Sequence, residues 1–159
     1  VQVPNPVPTP IIAFKVLVQA LELAEAPVGP GYRSPSKWYA RRYPREEPGV
    51  LAKALRLVDR VRLVRISPEV VEAEVPSESD PSRTYVVRVY VEPLDFECSC
   101  PHGEHRFNPC KHVIAAVLRL VRDYMTVAGR GAEVVIPAAI HEGLSKLAYL
   151  KARNYSRYA

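Results

Sequence analysis

Glu97-Cys98-Ser99-Cys100-Pro101, followed by Asn108-Pro109-Cys110-Lys111-His112, is the stretch on which the fold turns. All three cysteines of the chain lie in it, as Cys-x-Cys, nine residues, then Cys-x-His. On an extended strand, side chains i and i+2 point the same way. Leu94, Phe96, Cys98 and Cys100 therefore share one face, the face on which a core would lie, while Asp95, Glu97 and Ser99 point outward. The second pair opens a strongly apolar run, 111–127, that reads as a helix with Asn108 as N-cap and Pro109 in the first position. Positions i and i+2 diverge on a helix, so Cys110 has to sit at or before the first turn, with His112 just inside it. The partial positive charge of a helix N-terminus favours a thiolate at Cys110.

An odd number of cysteines clustered this tightly does not describe a disulfide framework. It describes a metal site in a reducing compartment. Three thiolates and one imidazole make a tetrahedral donor set, so Cys98, Cys100, Cys110 and His112 are expected to hold a structural Zn2+. His102 and His105, inside the intervening loop, remain alternatives to His112 for the fourth position. His102-Gly103-Glu104 with Pro109-Cys110 also matches part of the zinc-deaminase signature. The last cysteine of that signature would fall on Val113, and the loop is too short for the elements a deaminase needs. Four protein donors leave no open coordination position. There is no P-loop, dinucleotide fingerprint or nucleophile elbow either. The expectation is a protein that is not an enzyme and has no small-molecule substrate.

Upstream of the cysteines the hydrophobic period is two. Val61 and Leu63, then Val71, Ala73 and Val75, then Tyr85, Val87, Val89 and Val91 alternate with polar partners. This predicts strands over 60–66, 69–75, 84–92 and 94–98 in an antiparallel meander. Ser67-Pro68 makes a tight connection. Helices are predicted over about 10–26, with Thr9 as N-cap, Pro10 in the first position and Ile11, Phe14, Leu17, Val18, Leu21 and Ala24 as the apolar face, and over 50–58, 111–127 and 138–152, with a tail to 159. The fold class is α+β: a small antiparallel sheet, a metal site joining its last strand to a packed helix, and N- and C-terminal helices. Three segments follow: 1–59, a Pro-rich arm, helix and basic aromatic linker; 60–128, the zinc-binding domain; and 129–159, a helix and basic tail.

Cys98-x-Cys100 and Cys110-x-His112, preceded by strands and followed by an apolar helix, resemble the SWIM zinc finger over about residues 60–125. Pro101, Phe107 and Cys110-Lys111-His112-Val113 fit its pattern. The resemblance implies metal-ligand roles for Cys98, Cys100, Cys110 and His112. The family occurs in chromatin-remodelling ATPases, transposases, ubiquitin ligases and recombination mediators, and implies a module that binds DNA or protein.

The 159 residues are 48% apolar and 25% charged, which suits a soluble globular chain with a real core. Nine of the 16 prolines fall in the first 48 residues, so that stretch is not ordinary packed structure. Arg outnumbers Lys 16 to 6, and Asn, Gln and Met total six, which points to a thermophilic, archaeal source. No apolar stretch is long enough to span a membrane, and no signal peptide is evident, so a cytoplasmic protein is expected. Residues 27–60 sum to +5, 61–100 to −4 and 101–159 to +5. Between Tyr32 and Arg45, four aromatics interleave with Arg33, Lys37, Arg41, Arg42 and Arg45 around Trp38. Lys146, Tyr149, Lys151, Arg153 and Arg157 repeat the theme near the end. Such segments pair cations with phosphates and stack bases on rings. The expected partner is nucleic acid, RNA preferred over DNA, within a large assembly such as the ribosome. The competing possibility is a protein–protein adaptor, or a DNA-binding accessory of recombination or transcription.

Overall fold

In the computed structural model, which describes residues 9–34, 49–101, 108–125 and 132–158, a four-stranded antiparallel sheet lies against a layer of helices. Strands β1 (Arg62–Ile66), β2 (Val70–Pro76), β3 (Thr84–Tyr90) and β4 (Asp95–Cys98) pair in chain order, as the alternating pattern predicts. Val71, Ala73 and Val75 of β2, Val87 and Val89 of β3, and Phe96 and Cys98 of β4 face the core. Ser67 closes the β1–β2 turn: its N–H donates to the Val70 carbonyl at 3.0 Å, and its hydroxyl oxygen accepts the Val70 N–H at 3.1 Å.

The other face of the sheet carries charge that is largely settled within it. Arg65, Glu72, Arg88 and Glu97 stand side by side across all four strands. Their charged groups lie 4.0, 3.2 and 3.2 Å apart in turn. Arg62 pairs with Glu74 at 2.9 Å. Exposed pairs of this kind contribute little stability each, on the order of 0–1 kcal/mol. Their consequence is that Glu72, Glu74 and Glu97 already have partners.

The helices are α1 (Thr9–Glu25), α2 (Gly49–Leu57, continued by a 3-10 turn over Val58–Arg60), α3 (Lys111–Tyr124) and α4 (Ala132–Tyr158). Residues 112–118 of α3 are all buried, as are Leu120 and Val121. A helix buried on all sides needs neighbours on all sides. α3 has them: the sheet on one flank and α1, α2 and α4 on the others. Ile12 and Val16 of α1, Leu57 of α2, Val87 of β3, Ile114 of α3 and Ile140 and Leu144 of α4 belong to one core. All three segments drawn from the sequence contribute to it.

Three expectations need correction. The buried face of α1 is Ile12, Ala13, Val16, Leu17 and Ala20, while Ile11 and Phe14 are exposed. α1 meets α4 through small residues: a Cβ added to Gly143 would lie 2.2 Å from the Ala20 carbonyl oxygen. Close approach at Ala20 therefore selects the face of α1 that turns inward, and Ile11 and Phe14 fall outside it. Second, α4 runs from 132 through Pro137 to 158 and is not confined to 138–152. Proline near the start of a helix removes one backbone bond, and packing of Ile136 against the core favours the extra turn. Third, Asn108 and Pro109 precede α3, and Cys110 is its N-cap residue, in extended conformation (φ −82°, ψ 169°).

Two side chains tie α1 to the rest. The Gln19 amide nitrogen donates to the Val91 carbonyl at 2.5 Å, and its oxygen accepts the Leu94 N–H at 2.8 Å, spanning the β3–β4 turn. Lys146 of α4 is buried and donates to the Ala24 and Ala26 carbonyls at 2.6 and 2.7 Å. A cation on the last carbonyls of a helix satisfies them and opposes the negative end of the dipole. Lys146 is thus a capping residue and not part of a basic tail.

Candidate metal centre

The last strand and the central helix bring Cys98, Cys100, Cys110 and His112 together, all four buried, with their donor atoms within 4.8 Å of one another. Cys98 ends β4, and its neighbour Ser99 fixes the following step. The Ser99 N–H donates to the Val86 carbonyl at 3.0 Å, and the Ser99 hydroxyl oxygen accepts the Val86 N–H at 2.9 Å. Held to β3 from both sides, Ser99 points outward and leaves Cys98 and Cys100 facing in. Cys110 caps α3, and His112 lies in its first turn.

Nδ1 of His112 faces the thiols, 3.6 Å from Cys110 Sγ and 3.9 Å from Cys98 Sγ. Around a tetrahedral zinc, with bonds of about 2.3 Å to sulfur and about 2.0–2.1 Å to nitrogen, S and N donors stand roughly 3.6 Å apart. The Tyr85 ring packs on the imidazole, centroids 4.9 Å apart at 55°. No cysteine is in a disulfide. Cys110 ionises well below the usual thiol range because Cys98 donates a hydrogen bond to it, with His112 and the Val113 backbone N–H adding to the effect against burial. Cys98 is pushed up by the same hydrogen bond, by burial and by the charge on Cys110. A metal takes cysteine as thiolate and displaces thiol protons, which makes metal binding weaker as pH falls. The donor set fits Zn2+.

Residues 85–120 match the SWIM zinc finger family model. The SWIM match covers 36 of the 159 residues, from β3 through most of α3, so it includes all four metal donors and excludes β1 and β2. No curated protein and no solved structure matches the chain. A SWIM-type zinc finger implies zinc-dependent interaction with nucleic acid or with protein. Among the described residues, no helix is long and apolar enough to cross a membrane.

The expected nucleic-acid contacts are placed less fully. Lys37, Trp38, Arg41, Arg42 and Arg45 lie outside the described residues, as do His102 and His105. Arg33 is exposed, between Tyr32 and Ser34, whose hydroxyls donate to the two oxygens of Glu142 at 2.8 Å each. Arg153 is exposed and lies over the Tyr149 ring at 5.7 Å, and that ring meets Tyr32 edge-on at 5.2 Å. Lys151 is bound to Asp95 at 2.5 Å and lies over Phe96. Arg157 is in the last turn of α4, described by its backbone alone. Sequence reasoning missed Ser99, Tyr85 and the ion pair of Lys111 with Glu78 (2.8 Å). The Cys-Ser-Cys step was visible, but its partner Val86 is set by strand register.

The fourth donor can be checked directly. His112→Ala should lower bound zinc, whereas His102→Ala and His105→Ala should keep full metal content by elemental analysis. The reverse ranking would move the site into the loop.

Proposed function

We propose that this chain is a non-catalytic zinc-stapled protein that binds nucleic acid, RNA preferred over DNA, in the cytoplasm as part of a ribonucleoprotein assembly such as the ribosome. The observation that carries this is the separation of charge. The sheet stretch, 61–100, is acidic, and Glu72, Glu74 and Glu97 pair with its own arginines, while 27–60 and 101–159 each sum to +5. Arg33 and Arg153 are exposed beside Tyr32 and Tyr149, cations next to rings. That combination suits phosphate pairing and base stacking. Four protein donors around one ion also suit a structural metal and not a catalytic one.

The test is a binding titration with single-stranded RNA across salt. Replacing Arg41 and Arg42 together by Ala should flatten the log–log salt dependence by about 1–1.5 units, at roughly 0.7 per phosphate on a single strand. Zinc content should not change. Trp38→Ala should instead weaken binding by about 1–3 kcal/mol with little change of slope, if the indole stacks on a base. A slope that stays the same in these variants would remove nucleic acid as the partner and leave the adaptor role. Sedimentation with ribosomal subunits tests the assembly.

A further inference from the structure

Glu78 lies in the connection between β2 and β3, and cations from two helices reach it. Lys111 of α3 donates to one carboxylate oxygen at 2.8 Å, and Arg56 of α2 stands 3.9 Å from the other. Lys53, one helical turn before Arg56, is exposed and acts on the same carboxylate through its charge. The hydrogen bond from Lys111, followed by the charges of Lys111, Arg56 and Lys53, holds the Glu78 carboxyl below its ordinary range. Three cations against one anion leave the cluster with a formal surplus of two positive charges. α2 buries Ala54 and Leu57, while the Arg56 side chain is 58% exposed. Arg56 is therefore open to an anion arriving from outside.

We propose that Lys53, Arg56 and Lys111 form a phosphate-binding patch on the folded domain, next to the metal centre, in which Glu78 is a built-in competitor for the nucleic-acid backbone. The inference rests on the nucleic-acid function above and adds a contact on the folded domain to the basic flanks. Carboxylate and phosphate oxygens accept from the same ammonium and guanidinium donors. A phosphodiester can therefore take over the contacts that Glu78 now makes. Nucleic acid is favoured as the occupant because α2 follows directly on the cation-and-aromatic segment 32–45.

The experiment uses the zinc-loaded full chain, a fluorescein-labelled oligouridylate and anisotropy over a salt series. Lys53→Ala combined with Arg56→Ala should weaken binding several-fold and flatten the salt slope by roughly 1.4 units, two phosphates at about 0.7 each. Glu78→Gln should tighten binding and steepen the slope, because it removes an anion and frees its partners. Zinc content and melting temperature, read on the same samples, should stay near wild type in the Lys53/Arg56 variant. If wild type binds and the patch variants bind equally well, the patch is overturned and the flanks keep the function. If wild type does not bind the oligomer at all, both are overturned. Retained binding to RNA with lost binding to polyglutamate would reassign the patch to acidic proteins and also overturn the proposal.

Discussion

Cys110→Ser is expected to lose zinc and to melt far below the wild-type protein. Free energy of binding at structural zinc sites is folding free energy, on the order of 10 kcal/mol in small fingers at neutral pH. Here the metal shares the work with a core that runs through all four helices and the sheet, so the loss is graded and not total. If only about 4 kcal/mol of that is forfeited, the melting temperature falls by roughly 8–16 °C, at 2–4 °C per kcal/mol for a chain of this size. Cys98→Ser should behave alike, because the two thiols face the same imidazole nitrogen. A chelator separates metal loss from loss of packing. It should lower the wild-type melting temperature and leave the Cys110→Ser variant almost unmoved. Protein purified without chelator that contains no zinc, or variants that melt like wild type, would sink the metal centre.

Gly143→Ala should be the most damaging single methyl group in the helical layer. On an open helix surface this change stabilises by about 1 kcal/mol, since glycine is the poorer helix former. At Gly143 the added carbon would stand 2.2 Å from the oxygen and 3.0 Å from the carbonyl carbon of Ala20, both backbone atoms that cannot rotate away. α1 and α4 must then part, and overpacking of this kind costs about 1–3 kcal/mol, sometimes more. We expect a net loss of about 2 kcal/mol, seen as a melting temperature lower by roughly 4–8 °C. Zinc content should be unchanged, because the contact involves no metal donor. A variant as stable as wild type would mean that the two helices do not meet through this glycine.

The sheet and the metal donors were legible because their information is local. Alternation along β2 and β3 names the buried face, and the Cys-x-Cys and Cys-x-His spacings each fit within one strand end or one helix start. What was not legible depends on residues far apart in the chain. Ile11 and Phe14 fit a helical apolar face as well as Ile12 and Val16 do, yet the contact of Ala20 with Gly143 turns the face of Ile12, Ala13, Val16 and Ala20 inward. Lys146 belongs by spacing to a run of basic residues, and only the approach of Ala24 and Ala26 makes it a cap. Lys151 is similarly engaged by Asp95. Asn108 is a good N-cap residue, but the cluster of donors needs Cys110 extended at that place, and the helix starts two residues later than local preference would have it.

The pairing of α1 with α4 also sets an order in time. Lys146 bonds to Ala24 across 122 positions, and Tyr32 to Glu142 across 110. During synthesis α1 emerges before the sheet and α4 after it, whereas the meander and the donor cluster close over short stretches of chain. Contacts between near residues form faster than those that must close long loops. The strands and the cysteines can therefore assemble while Ile12, Val16 and Leu17 still wait for part of their cover. That interval is when the chain is most open to self-association. It ends when Ile140, Leu144 and Ala148 arrive.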